Sequence, residues 1–344
     1  MKILVTGNNG YIGTVLVEEL FKKNYEVIGY DIDYFYDCNL TNKNNKLTKQ
    51  IKKDIRNITE NDLDGIDIVI HLAGLANDPL GELDPKLTDE INYQSTIKIA
   101  ELSKIKKVKR FIYASSQSMY GVSDLQEELD EEDSKKNPVT AYAKTKWEAE
   151  KKIKNLDNDD FTVVMFRPST VFGASPRLRC DIVYNSLVAC AYTTGKIEIL
   201  SDGSPWRPVI HVKDLCKAFI SGIEAPKELV SGQSFNVGIK NGNFTVKNLA
   251  EAAQSVVTGS ELVFLNQHTD PRTYKVSFKK ILTTLKDYFK PDWSLDRGGH
   301  ELVSFFKDIN FSENDFRNEK VNRLKKLESL IQKKKINNKL EWIL

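Results

Sequence analysis

The sequence predicts an α/β protein: a doubly wound parallel sheet over residues 1–170, completed by later segments, with a smaller C-terminal α+β region. Three observations carry this. Short apolar runs alternate with helical patterns through the first half, as strands and crossover helices do in a parallel sheet. The central runs, at 68–70 and 111–112, are wholly apolar, which suits strands covered on both faces. A glycine-rich turn joins the first apolar run to the first helical pattern.

In order, strands are expected at 3–5, 26–30, 66–71, 110–114 and 162–166, with a weaker one near 49–53. Helices are expected at 11–21, 85–104 and 141–153. Beyond residue 171 the pattern loosens. Strands near 197–200 and 234–237 mix with helices near 180–193, 212–223 and 246–257, a region of 171–310 laid over the carboxyl edge of the sheet. Residues 311–344 form a tail rich in Lys, Arg and Asn. Val321, Leu324, Leu327 and Ile331 share one helical face there, but over barely one heptad, so a solvated terminal helix is expected rather than a coiled coil. The run of Lys333 to Lys335 is expected to face solvent.

Composition narrows the function classes. The chain has 344 residues, 40% hydrophobic and 28% charged, with a net charge of +2. That charge gives no argument for a nucleic-acid partner. No apolar run approaches the ~20 residues of a membrane span, and Met1 leads directly into a strand rather than a signal peptide. A cytoplasmic protein with no membrane partner is expected. Cys38, Cys180, Cys190 and Cys216 are scattered without metal-ligand spacing and read as reduced, buried thiols. With four histidines, at 71, 211, 268 and 300, no metal site is expected.

The turn reads Thr6-Gly7-Asn8-Asn9-Gly10-Tyr11-Ile12-Gly13. Glycines between a strand and a helix let the backbone approach a pyrophosphate, and the helix N-terminus stabilises its charge. Asp31 ends the second strand 18 residues after Gly13, where a carboxylate accepts from an adenosine ribose and repels a 2′-phosphate. Ile32, Asp33 and Tyr34 follow, with no basic residue, so NAD is favoured over NADP. Asp54-Ile55 follows the third strand, where an adenine would lie. His71-Leu72-Ala73-Gly74 ends the fourth strand, where small residues admit a ligand; His71 itself reads as a packed, hydrogen-bonded histidine.

Tyr142 and Lys146 lie four apart on one helical face. Tyr-x-x-x-Lys occurs twice, and Tyr192/Lys196, with Thr-Thr-Gly between, reads as a helix terminus and a decoy. The first copy follows a strand ending in Ala114-Ser115-Ser116, whose hydroxyls belong at the carboxyl edge. The trio suits oxidation of an alcohol. A tyrosine acts as base near neutrality only if its pKa falls from about 10, and ~1.36 kcal/mol per pKa unit makes that about 4–5 kcal/mol. A nearby ammonium and a nicotinamide cation are sources of that energy.

With these motifs together the chain resembles the extended short-chain dehydrogenases, specifically the NAD-dependent epimerase/dehydratase family, from Met1 to about Lys307. The resemblance implies a Rossmann-type sheet and a bound NAD. It implies Tyr142 as base, Lys146 as its partner holding the nicotinamide ribose, and Ser116 bonding the reacting hydroxyl. Gly7, Asn9, Gly10, Tyr11, Ile12, Gly13, Asp31, Asp54, Ile55, Leu72, Ala73, Gly74, Asn92, Ala114 and Pro168 would line the cofactor. Gln117 and Thr170 would line the substrate. Arg177, Arg179, Arg207 and Arg272 suit a nucleotide diphosphate, and Arg207 and Arg272 look like the family's clamps. Trp206 stacks on a base or packs in the core, and His211 reads as structural. Family 4,6-dehydratases carry Thr-Asp-Glu where this chain has Ser116-Gln117-Ser118, so dehydration lacks an acid–base pair. A nucleotide-sugar 4-epimerase is the leading expectation. A single-pass 4-dehydrogenase or ketoreductase, of the GDP-heptose kind, remains open, as does a non-catalytic NAD-binding protein. The resemblance further implies a homodimer.

Overall fold

A computed structural model describes residues 1–41, 46–123, 125–265 and 273–343. Its main sheet has seven strands. They are β1 (Lys2–Thr6), β2 (Glu26–Asp31), β3 (Lys49–Lys52), β4 (Ile68–His71), β5 (Arg110–Ala114), β6 (Thr162–Pro168) and β10 (Ser234–Val237). The order is β10-β6-β5-β4-β1-β2-β3, all parallel. Chain order reverses between β1 and β4, so the carboxyl ends of those strands open a crevice for a dinucleotide.

The alternation of side chains along each strand builds two cores. Ile3, Val5, Ile68, Ile70, Ile112 and Phe166 face helices Tyr11–Lys22 and Val212–Glu224. Leu4, Val69, Phe111, Tyr113, Val163 and Met165 face the opposite way, toward helices Ser95–Ile105 and Ala141–Lys154. Both faces are therefore dry, which explains why the central strands show no polar alternation.

The helix expected at 85–104 is interrupted. Pro85–Thr88 and Ser95–Ile105 flank a π-helical segment, Asp89–Gln94. Beyond the main sheet, β7 (Thr170–Phe172), β9 (Trp206–His211) and β11 (Asn243–Thr245) form one small sheet. β8 (Lys196–Ile199) and β12 (Glu261–Phe264) pair in another. These strands are short, and several escape a periodicity argument. Tyr192 ends helix Val183–Thr194 and packs on Phe306, Gly195 turns left-handed (φ 71°), and Lys196 starts β8. The second Tyr-x-x-x-Lys is thus a helix C-terminus. All four cysteines are free and buried.

The tail departs from expectation. Helix Arg323–Gln332 is docked, not solvated: Val321, Leu327, Leu330, Ile336 and Leu340 are buried. Leu324 and Ile331 pack beside them, so the expected face is right but its environment is not. Even Arg323 and Lys326 are buried. Arg323 lays its guanidinium 4.7 Å from the Phe35 ring centre, and Trp342 donates to the Ile32 carbonyl (2.8 Å). Tyr34 donates to the Leu340 carbonyl. Long aliphatic stems let basic residues cover apolar surface, which a charge count does not reveal. Lys333, Lys334 and Lys335 do face solvent.

Candidate active site

The glycine turn is shaped by close approaches. Gly7 has φ +73°, and a Cβ there would lie 2.8 Å from the Ala73 nitrogen. A Cβ on Gly13 would lie 2.2 Å from the Gly7 carbonyl oxygen, so only glycine lets the helix start against the turn. Helix Tyr11–Lys22 opens on Gly10 without a capping side chain, leaving first-turn amides to an anion. Asp31 accepts from the backbone nitrogens of Asn9 (3.0 Å) and Asp33 (2.8 Å). Burial pushes its carboxyl up to about 6 despite those bonds. These residues fit a dinucleotide.

Two expected cofactor residues also have protein partners. Asn92 accepts from the Leu75 nitrogen (2.8 Å) and donates to the Leu75 carbonyl (3.0 Å). These two bonds shape the loop after β4. The Asp54 carboxylate accepts from both Nε (3.0 Å) and Nη2 (2.6 Å) of Arg56. Ile55 is buried beside it. His71 is fully buried between Thr6 Oγ1 (2.7 Å, at Nδ1) and Thr96 Oγ1 (2.8 Å, at Nε2). Burial pushes its pKa down to about 3, so it stays neutral and structural.

Tyr142 and Lys146 occupy the first turns of helix Ala141–Lys154, whose N-cap is Thr140. Thr140 accepts from the Ala143 nitrogen (3.1 Å) and donates to Asp78 Oδ1 (2.5 Å). Helix Asp78–Gly81 lies against this turn, and a Cβ on Gly81 would come within 2.8 Å of the Tyr142 Cβ. Lys146 donates through Nζ to the Ala114 carbonyl (2.7 Å) and lies 4.8 Å from the Tyr113 ring centre. Burial drives Lys146 down to about 7. Burial also drives Tyr142 up to about 12, offset only in part by Ser116. In the chain alone, without the nicotinamide cation that the expectation also invokes, burial outweighs the acidifying contacts of Tyr142.

Ser116 Oγ accepts from the Ser118 nitrogen (3.1 Å). Ser115 donates to Glu150, whose carboxylate pairs with Arg167 Nη2 (2.5 Å). Burial opposes the charge on Glu150, but Arg167, Ser115 and Ser234 keep its pKa below the ordinary carboxylate range. This buried network fixes the floor under Ser116 and was not anticipated from sequence, although Glu150 continues the helical face of Tyr142 and Lys146. Gln117 spends its Nε2 on the Arg167 carbonyl (2.9 Å), while its Oε1 is buried without a partner. Thr170 begins β7 two residues after β6 ends at Pro168.

The arginines divide. Arg179 pairs in two contacts with Asp181 (2.8 and 2.9 Å), and its charge reaches Tyr11 and Tyr142. The charge of Arg177 reaches Cys38, Asp31, Asp33 and Asp37 instead. Arg207 lies on β9 and donates to the Trp206 carbonyl (2.8 Å). Arg272 is outside the described residues. Trp206 is half-buried beneath Lys275 Nζ (5.3 Å from the ring centre), so it is not a core residue. His211 stacks on Trp293 (3.9 Å) and bonds Glu301 (2.7 Å), a structural role.

A parallel sheet with a glycine turn, a buried carboxylate ending its second strand and a Ser–Tyr–Lys trio at one edge defines a dinucleotide-dependent short-chain dehydrogenase fold. Residues 3–238 match the NAD dependent epimerase/dehydratase family, and the chain belongs to it. It is 30% identical over 323 residues to the "Putative UDP-glucose 4-epimerase" of Methanocaldococcus jannaschii, spanning 90% of this chain and 99% of the relative. It is also 29% identical over 260 residues to the human "dTDP-D-glucose 4,6-dehydratase", spanning 73% and 72%. The UDP-glucuronic acid 4-epimerase of Bacillus cereus, solved with UDP-glucuronic acid and NAD, superposes with a TM-score of 0.76. It is 25% identical, spanning 90% of this chain and 100% of that one. NAD is the cofactor.

Proposed function

We propose that this protein is a nucleotide-diphosphate-sugar 4-epimerase that works through transient oxidation at sugar carbon 4. The observation that carries it is Tyr142 and Lys146 brought with Ser116 to the carboxyl edge of the sheet. The glycine turn, Asp31 and Lys146 would hold NAD, which when bound would supply a reversible hydride acceptor for carbon 4, with return to the opposite face of the keto-sugar. Tyr142 accepts the proton of the 4-hydroxyl and gives it back, and Ser116 orients that hydroxyl. Arg207 and Arg272 serve the nucleotide diphosphate, and Arg179 flanks the sugar end.

Dehydratase relatives exist, but this chain is read as no 4,6-dehydratase. Gln117 and Ser118 replace the acid–base pair, and neither titrates near neutrality. UDP is the favoured nucleotide on the names of the relatives. A cytoplasmic homodimer serving surface-polysaccharide sugars completes the proposal, resting on resemblance alone; light scattering checks the dimer.

The test is incubation with UDP-glucose and UDP-glucuronic acid, followed by NMR and NADH absorbance. A 4-epimer without net NADH is expected, and Tyr142→Phe should lower turnover by about 100-fold or more. Accumulating NADH would indicate a dehydrogenase, and a 4-keto-6-deoxy sugar a dehydratase.

A further inference from the structure

We propose that Arg177 is a ligand of the diphosphate of NAD, and that the C-terminal tail holds it in place. Arg177 is 8% exposed, and its Nε and Nη1 are buried with no hydrogen-bond partner. A dry guanidinium with two idle donors is costly unless an anion reaches it. Its charge faces Asp31, Asp33 and Asp37, yet no carboxylate pairs with it within 4 Å among the described residues. Those carboxylates have other donors: Asp31 takes two backbone amides, Asp33 takes Asn9 Nδ2 (2.5 Å), and Asp37 takes Lys326 (2.7 Å).

The loop carrying Arg177 is seated on the first turn of helix Tyr11–Lys22. Ser175 Oγ donates to the Tyr11 carbonyl (2.8 Å) and lies 3.1 Å from Thr14 Oγ1, while the Arg177 nitrogen donates back to Ser175 Oγ (3.2 Å). These bonds seat the Arg177 backbone beside the helix end expected to receive the diphosphate, and its charge is within electrostatic reach of Asp31. A helix N-terminus supplies partial positive charge on one side, and a fixed fork on the other matches two phosphate oxygens. The sequence reading gave Arg177 to the sugar nucleotide; this position gives it to the cofactor.

Residues of the tail join the two walls of this site. Arg323 Nη2 donates to the Arg177 carbonyl (2.6 Å) while its guanidinium covers Phe35. Lys326 bridges Asp37 and Glu319 (3.3 Å). On the far wall, Leu40 donates to the Pro176 carbonyl (2.9 Å). Arg323 is thus a positioning residue for Arg177, without contact to the cofactor of its own.

The inference rests on NAD being the cofactor and not on the reaction, so its failure would leave the epimerase reading standing. Full-length protein stripped of nucleotide is titrated calorimetrically with NAD, ADP, adenosine and NADP. Arg177→Gln should weaken NAD and ADP by about tenfold or more and leave adenosine within about twofold. Arg323→Gln should show the same selective loss at smaller size. Should Arg177→Gln fail to fold, Arg177→Lys carries the test, because it keeps the charge but loses the fork and should still weaken NAD more than adenosine. Equal losses for adenosine and NAD, no loss at all, or wild-type preference for NADP that vanishes with Arg177 would each overturn the assignment.

Discussion

Burial acts on Tyr142 and Lys146 in the same direction, toward the uncharged form of each. In the chain alone the phenol sits at about 12 and the ammonium at about 7. Positive charge arriving with NAD reverses the balance for Tyr142, since a neighbouring cation favours the phenolate. Ultraviolet titration of the stripped protein should show the Tyr142 contribution, identified by Tyr142→Phe, above the free-tyrosine value, and NAD should bring it below. Asp31 carries a second pH signature. Burial holds its carboxyl at about 6, so the apoprotein keeps a proton there in mild acid. Ribose hydroxyls bond best to the charged form, and NAD binding therefore expels that proton. NAD affinity should fall as pH drops below about 6, and the fall should disappear in Asp31→Asn, which binds more weakly at neutral pH.

Among elements, helix Ala141–Lys154 does most to place the chemistry, and its position depends on a residue no motif marks. Gly81 lets helix Asp78–Gly81 touch the backbone of Tyr142, with the Tyr142 nitrogen 3.0 Å from where a Cβ would stand. Gly81→Ala should shift the phenol and lower kcat on the order of 10- to 100-fold while NAD binding is kept; steady-state kinetics beside calorimetry separates the two. The Tyr142/Lys146 spacing and the glycine turn were legible because each is a local pattern with one geometric meaning. Contacts made across the chain were not. Asn92 bonds Leu75 across the chain, and Glu150 meets Arg167 through the fold, not through spacing. Strands β7 and β11 have three residues each, too few to show a period.

On the scale of the whole molecule, the tail closes the side of the sheet that carries the ribose carboxylate. Its basic composition suggested solvent, yet Leu327 is 1% exposed and belongs to the same core as Leu4 and Val69. Leu327→Ala should cost about 2–4 kcal/mol in denaturant unfolding if the tail shares the cooperative core; a loss near zero would mean it is peripheral. The parallel sheet and the burial of its central strands on both faces were readable from apolar runs, whereas the strand order that opens the crevice at β1 and β4 was not. The return of the last thirty or so residues to the segment after β2 was not, because a single short amphipathic helix does not say which surface it meets.

Carbon 4 is where the account stands or falls. A UDP-sugar deuterated at that carbon, incubated in ordinary water until epimers equilibrate, should yield product with the label retained at the inverted carbon and no net NADH. Loss of the label to solvent would contradict hydride transfer to and from a bound nicotinamide at that position.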